Sequence, residues 1–301
     1  MKTLKCLIKR NTKMFFKDKG LFFTSLITPL ILLVLYATFL SNVYKDSFSA
    51  VLSTYGLTAS QGIINGCVSG QLLSSLLSVS CVTVAFCSNM LMVNDKVNGV
   101  RKDFMVSPVK KSTLALSYYI STLLSTFLIC FVATGLGLIY VASSGWYLTF
   151  SDVMLIILDE LILVSFGTAL SSIINFFLTS QGQISAVGTI VSSCYGFICG
   201  AYMPISSFGA GLQTVVKFLP GTYGTSLLRN HTLTGVFKQM SAEGIPAEAI
   251  DGIKKSLDCS IEMFGNTLST GVMYAILSGV VVLLVTAYVL INKVYIKNKG
   301  N

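Results

Sequence analysis

Residues 114–141, LALSYYISTLLSTFLICFVATGLGLIYV, run for 28 positions without a charged side chain. As a helix the stretch rises about 42 Å, more than the ~30 Å hydrocarbon core of a bilayer. Its apolar residues are continuous rather than alternating, so the backbone must be satisfied within a helix and not in a barrel strand. Five further stretches have the same character: 21–40, 72–93 (which can begin as early as Ile63), 153–178, 184–203 and 268–291. The fifth of the six in chain order, 184–203, carries the most Ser and Gly. The 301 residues are 53% hydrophobic and 11% charged, with a mean hydropathy of +0.76. A soluble domain has roughly 25% charged residues. The composition therefore predicts an all-α integral membrane protein with six transmembrane helices.

Charge sets the expected orientation. The net charge is +9, but its distribution argues against nucleic acid. On a six-span reading, fifteen Lys and Arg fall on the side of the two termini and of the loop 94–112, and six on the other. The positive-inside rule then places both termini in the cytoplasm, with the basic excess facing anionic lipid. The large segment 204–265 falls outside, and its five acidic residues balance its basic ones. The eight cysteines show no metal or redox spacing. The first apolar run lacks a small-residue cleavage site and is expected to stay as an anchor.

Ahead of the first span, residues 1–20 place Leu4, Leu7, Ile8, Met14 and Phe15 on one side of a helix. Lys5, Lys9, Lys13 and Lys17 recur on another. This is the pattern of a basic amphipathic helix lying in the headgroup plane. Pro29 is expected to kink or loosen the first span. Gly66, Gly70, Ser74 and Ser78, and later Gly188, Ser192, Gly196 and Gly200, recur every four residues as packing faces where helices approach closely.

Asp159 and Glu160 lie six and seven residues past Val153. At mid-bilayer each would cost about 2.5–3.5 kcal/mol on insertion scales. The fourth span is therefore expected to begin near Leu161 and leave both at the interface, a proton relay being the alternative. In the outer segment, 208–219 reads as a short re-entrant or interfacial helix and 236–261 as an exposed helical cap. Asn230-His231-Thr232 fits a glycosylation sequon, a cheap match. His231 is the sole histidine and cannot build a metal site.

Between the second and third spans lies the charged island NDKVNGVRKDFMVSPVKKS, residues 94–112. Val93, Val97, Val100 and Phe104 share one face at helical spacing, with Asp95, Asn98, Arg101 and Lys102 on the others. A short amphipathic helix along the inner surface is expected. Ser107-Pro108 reads as an N-cap and first helical residue of the third span.

The order Asp95, Gly99, Asp103-Phe104, Ser107-Pro108-Val109-Lys110-Lys111 resembles the first cytoplasmic loop of type-2 ABC exporter permeases. Gly200, Tyr202, Pro204, then Pro220, Tyr223 and Arg229 resemble that family's outer re-entrant segment before the last span, and residues 1–20 resemble its elbow helix. The resemblance implies that 94–112 is a coupling helix docking on an ATPase subunit through Asp95, Gly99, Arg101, Lys102, Asp103, Phe104, Ser107 and Pro108. Lys102 and Asp103 depart from a less charged stretch in many relatives. The insertion 236–261 is more charged than the family's minimum.

The chain has neither a G-x4-G-K-[ST] phosphate loop nor a nucleophile–His–acid set. It is thus expected to be no enzyme and to hold no cofactor or metal itself, with ATP and Mg on a separate nucleotide-binding subunit. Six spans enclose little space, which calls for a second permease subunit, identical or a sister chain. An interior rich in Ser, Thr, Phe and Met predicts an apolar or amphipathic cargo, such as a drug, a peptide or a lipid-linked molecule. Export across the cell membrane is what the resemblance implies. A non-transporting immunity or sensor protein of the same fold and an ion-coupled secondary transporter are the alternatives.

Overall fold

Asp18 separates the first two helices. Its carboxylate accepts from the Leu21 amide at 3.1 Å, ending α1 (Lys2–Lys17) and capping α2 (Lys19–Leu35). The computed structural model describes residues 2–54, 59–107, 109–263 and 266–295. Helix α2 runs through Pro29. Its ladder departs from α geometry not there but at Tyr36–Leu40, a π-helical turn that leads straight into α3 (Ser41–Thr54). Then follow α4 (Gln61–Ser88), α5 (Met90–Val97), α6 (Val100–Val106), α7 (Lys111–Ser144), α8 (Phe150–Phe177) and α9 (Gln181–Ile198). A 3₁₀ turn (Ile205–Ser207) leads to α10 (Ala210–Lys217), α11 (Pro220–Ala242) and α12 (Ala247–Ser256). A two-stranded antiparallel hairpin, β1 (Glu262–Met263) and β2 (Asn266–Thr267), precedes α13 (Thr270–Tyr295).

Among the described residues, five helical runs are long and apolar enough to cross a membrane: Lys19–Leu40, Gln61–Val97, Lys111–Ser144, Phe150–Phe177 and Thr270–Val294. The fifth expected span forms α9, whose 18 residues include Gln181 and Gln183 and leave it too polar to count with them. The N-terminal helix, the 94–107 loop and the far end of α13 meet at one end of the bundle, where Arg101 bonds Asn292.

Helix α4 is the axis of the bundle, buried at nearly every position from Ile63 to Ser88. Lipid tails are as apolar as Leu, so close packing rather than water exclusion holds such a helix in place. Gly70 lets α11 approach until a Cβ there would lie 2.9 Å from the Thr232 carbonyl oxygen. The Gly188–Gly200 ladder is the inward side of α9. Both ladders pack helices within this chain. Outward, Phe23, Ile31 and Val34 of α2 and Val282 and Leu283 of α13 are more than half exposed, as expected of sides that meet lipid or another subunit.

Three expectations change here. Helix α8 starts at Phe150, not near Leu161, because Thr149 and Asp152 close a reciprocal capping box. Asp159 and Glu160 therefore stand about 15 Å along the helix, 1% and 0% exposed, buried in the bundle and not ahead of the helix start. The segment 204–265, expected to hold a re-entrant or interfacial helix at 208–219 and an exposed cap at 236–261, also sends α11 back into the bundle against α4 and α8. It presents a polar inner side of Thr222, Thr225, Ser226, Arg229 and Thr232, all buried. Its far end and α12 join α3 and the start of α4 in a second small core of Phe48, Ile63, Val236, Phe237 and Ile253. Part of the expected cap is thus internally packed, and the Asn230 sequon lies within α11, its amide bonded to the Ser226 and Cys259 carbonyls.

Candidate coupling site and bundle interior

The charged island is two helices with a break, not one. Asn98 ends α5, and Gly99 at φ +80° turns the chain in the left-handed region before α6, a conformation other L-residues adopt at a cost. The valine stripe is split accordingly: Val93 is fully buried, whereas Val97 is 40% exposed beyond the end of the bundle. Ser107 does not cap the third span. Its hydroxyl donates to the Phe104 carbonyl at 2.8 Å and closes α6, and α7 begins at Lys111. Pro108 and the Lys102 side chain lie outside the described residues.

Asp95, placed on an outer face by its spacing, points inward and is 5% exposed. It pairs with Arg10 of α1, whose second nitrogen reaches the other carboxylate oxygen at 3.2 Å. Tyr118 of α7 donates to it at 2.6 Å. The carboxylate's hydrogen bond raises the basicity of Arg10 further. Arg10 also covers the ring of Phe104, 5.4 Å from its centroid. Beside the pair, Asn11 approaches the Ser117 hydroxyl at 3.5 Å, so the inward side of α1 is Leu7, Asn11 and Phe15.

The same loop grips three more helices. Lys96 donates to the Phe176 and Leu178 carbonyls at 2.8 and 2.7 Å, satisfying the end of α8 where the helix dipole favours a cation. Arg101 reaches Asn292 of α13 at 3.3 Å and lies over the Phe176 ring. Gln181 at the start of α9 donates to Asn94 at 2.8 Å. Behind the loop, Asn89 joins the α4–α5 junction to Ser171 and Ser172 of α8. What faces outward is Asn98, Asp103 and Val106, the last 90% exposed.

At the other end, the residues of the expected re-entrant segment converge. Gly200, at φ +72°, turns the chain after α9 and gives its carbonyl to Arg229 at 2.5 Å. Arg229, 1% exposed, also bonds Asp258 at 3.1 Å. With its amide turned to face the guanidinium, Gln71 of α4 accepts from Arg229 at 3.1 and 3.2 Å. Asp258 takes a second bond from the Ile205 amide at 2.8 Å, yet burial still lifts its carboxyl above the usual range. Pro220 opens α11, and the Tyr223 phenol returns to the Lys217 carbonyl at 2.7 Å. A buried arginine with this many partners fixes the α9 turn against α4 and α11.

Next to that knot opens a cavity of about 750 Å³ between α2, the π-turn, α3, α4 and the 197–206 turn. Tyr36, Phe39, Tyr44, Phe48, Phe197 and Tyr202 supply its aromatic walls. Gln71 gives a polar floor, and Tyr44 approaches the Tyr202 carbonyl at 3.4 Å. The Tyr36 hydroxyl is buried without a hydrogen-bond partner among the described residues. Size and lining match those of small-molecule sites. Neither Tyr36 nor Tyr118 stood out in the sequence, where each is one aromatic in an apolar run. Arg10 had a signal, as the lone arginine beside a lysine stripe.

Deep in the bundle, Asp159 meets Nδ1 of His231 at 2.5 Å and the Tyr274 phenol. Glu160 turns toward α7, its Oε2 2.5 Å from the Thr134 hydroxyl.

No curated protein sequence matches the chain. The model of the ABC-2 type transporter family matches residues 2–232, from α1 through the bundle into α11. With its apolar spanning helices, this chain belongs to the ABC-2 type transporter family and is a membrane permease of that class.

Proposed function

We propose that the chain is the permease subunit of an exporter that moves an apolar or amphipathic molecule across the cell membrane. ATP would be hydrolysed, with Mg, on a separate nucleotide-binding subunit. Members of this family work with such a subunit. The observation that carries the reading is the loop 94–107, tied at once to α1, α7, α8, α9 and α13. A push on the exposed side of α6 is thereby delivered to most of the bundle. The chain itself needs no ATPase chemistry. In this reading α9 is the sixth membrane helix, both termini are cytoplasmic, and a second permease subunit completes the pathway. The aromatic cavity supports a drug, peptide or lipid-linked cargo over a small ion. No observation favours a non-transporting immunity or sensor role.

Co-expression of the permease with nucleotide-binding subunits, followed by purification and vesicle efflux, tests this. Asp103→Lys combined with Val106→Asp is expected to abolish co-purification and ATP-driven efflux while leaving the melting temperature unchanged. Full complex formation and efflux by that double variant would overturn the docking role of α6.

A further inference from the structure

Two adjacent carboxyl groups of α8 meet opposite surroundings. Asp159 faces His231 from α11, a group able to carry the opposite charge, and Tyr274 from α13. Glu160 faces no cation among the described residues. From α7 it meets Thr134, with Cys130 one turn before, and from α4 it meets Cys81. Lys96 of α5 is engaged at the far end of α8 by two carbonyls. Glu160 is 0% exposed, and its Oε1 has no hydrogen-bond partner among the described residues. A bare carboxylate so placed is costly inside a membrane protein.

Thr134 points to the solution. Its Oγ1 lies 3.0 Å from the Cys130 carbonyl and 2.5 Å from Glu160 Oε2, but a hydroxyl has one proton to donate. The carbonyl can only accept. With Glu160 ionised, that single proton can serve only one of the two contacts; with Glu160 protonated both are satisfied, the acid donating to Oγ1 and Oγ1 to the carbonyl.

We propose that Glu160 is a proton-binding site of the permease, loaded in the packed bundle, with Thr134 as its hydrogen-bond acceptor. The carboxylate takes one proton from water and becomes a carboxylic acid, and no other bond changes. Glu160 then donates to Thr134, and Thr134 donates to the Cys130 carbonyl. Any state of the transport cycle that lets water reach Glu160 releases that proton. The packed bundle therefore binds one proton more than the hydrated state, and raising the pH weakens it. The site does not depend on the energy source of transport.

Infrared spectroscopy of the purified full-length permease at neutral pH tests the proposal. A protonated carboxylic-acid C=O band is expected in the wild type and in Asp159→Asn, and its loss in Glu160→Gln. Absence of the band from the wild type, or its survival in Glu160→Gln, overturns the site. Thr134→Val leaves the acid in place and is expected to move the band to higher frequency by removing its acceptor; an unmoved band overturns the role of Thr134. The wild-type melting temperature is expected to fall from neutral to alkaline pH more steeply than that of Glu160→Gln. Equal slopes would contradict proton linkage.

Discussion

Asp95 and Asp103 lie eight residues apart in one charged loop and do different work. Asp95 is buried against Arg10 and Tyr118, whereas Asp103 is exposed. Removing one partner of a buried pair costs about 3–5 kcal/mol, and less where a partner meets solvent. With the Arg10 side chain 28% exposed, Asp95→Ala is expected to destabilise by about 2 kcal/mol in thermal melts. The Arg10→Ala/Asp95→Ala double variant should cost less than the sum of its parts, since the two side chains share one contact. Asp103→Lys is expected to stay within about 0.5 kcal/mol of wild type. The acid, the glycine and the Ser-Pro were legible in the sequence. The direction of Asp95 was not, because it depends on an arginine 85 positions away.

Among the elements, two glycines make opposite demands. Among the described residues nothing lies within 4 Å of where a Gly99 Cβ would stand, so its backbone angle is what resists substitution. Gly99→Ala is expected to cost about 1–2 kcal/mol, the usual penalty of a left-handed L-residue, and Gly99→Asn less. At Gly235 the backbone is ordinary helix, but a Cβ would fall 1.8 Å from the Tyr147 carbonyl oxygen. Gly235→Ala is expected to force α11 away from the 145–149 turn and cost about 3 kcal/mol, read as a lower melting temperature and reduced folded yield. Helix α11 was the element the sequence hid. Its inner side is threonine, serine and arginine, so hydropathy reads it as a surface segment, and only the Arg229 knot explains why it is buried. The start of α8 was missed for a related reason: a capping box outweighs the polarity of two carboxyl groups more than two turns further in.

For the whole molecule, apolar length alone predicted the long spanning helices, because a bilayer leaves a chain few ways to satisfy its backbone. The cavity was invisible to that reasoning, being assembled from residues as distant as Leu32 and Leu257. Val68 lines it from α4. If cargo passes here, Val68→Trp should cut efflux of an amphipathic substrate about tenfold, equivalent to ~1.4 kcal/mol, while leaving the complex with the ATPase subunit intact. Unchanged efflux would place the pathway elsewhere.

The π-turn at Tyr36–Leu40 gives that cavity an unusual dependence on chain length. A π-turn holds one residue more than the α-helix it interrupts, and each residue of helix advances the side chains by about 100°. Tyr44 and Phe48 enter the cavity from α3, beyond that turn, while Leu32 and Leu35 enter from α2, before it. Deleting one residue of the turn would restore an even helix and swing the later pair to another bearing. The aromatic wall is therefore a phase relation between two stretches of one helix, and deletion of Thr38 alone dismantles it without removing any side chain that lines the cavity.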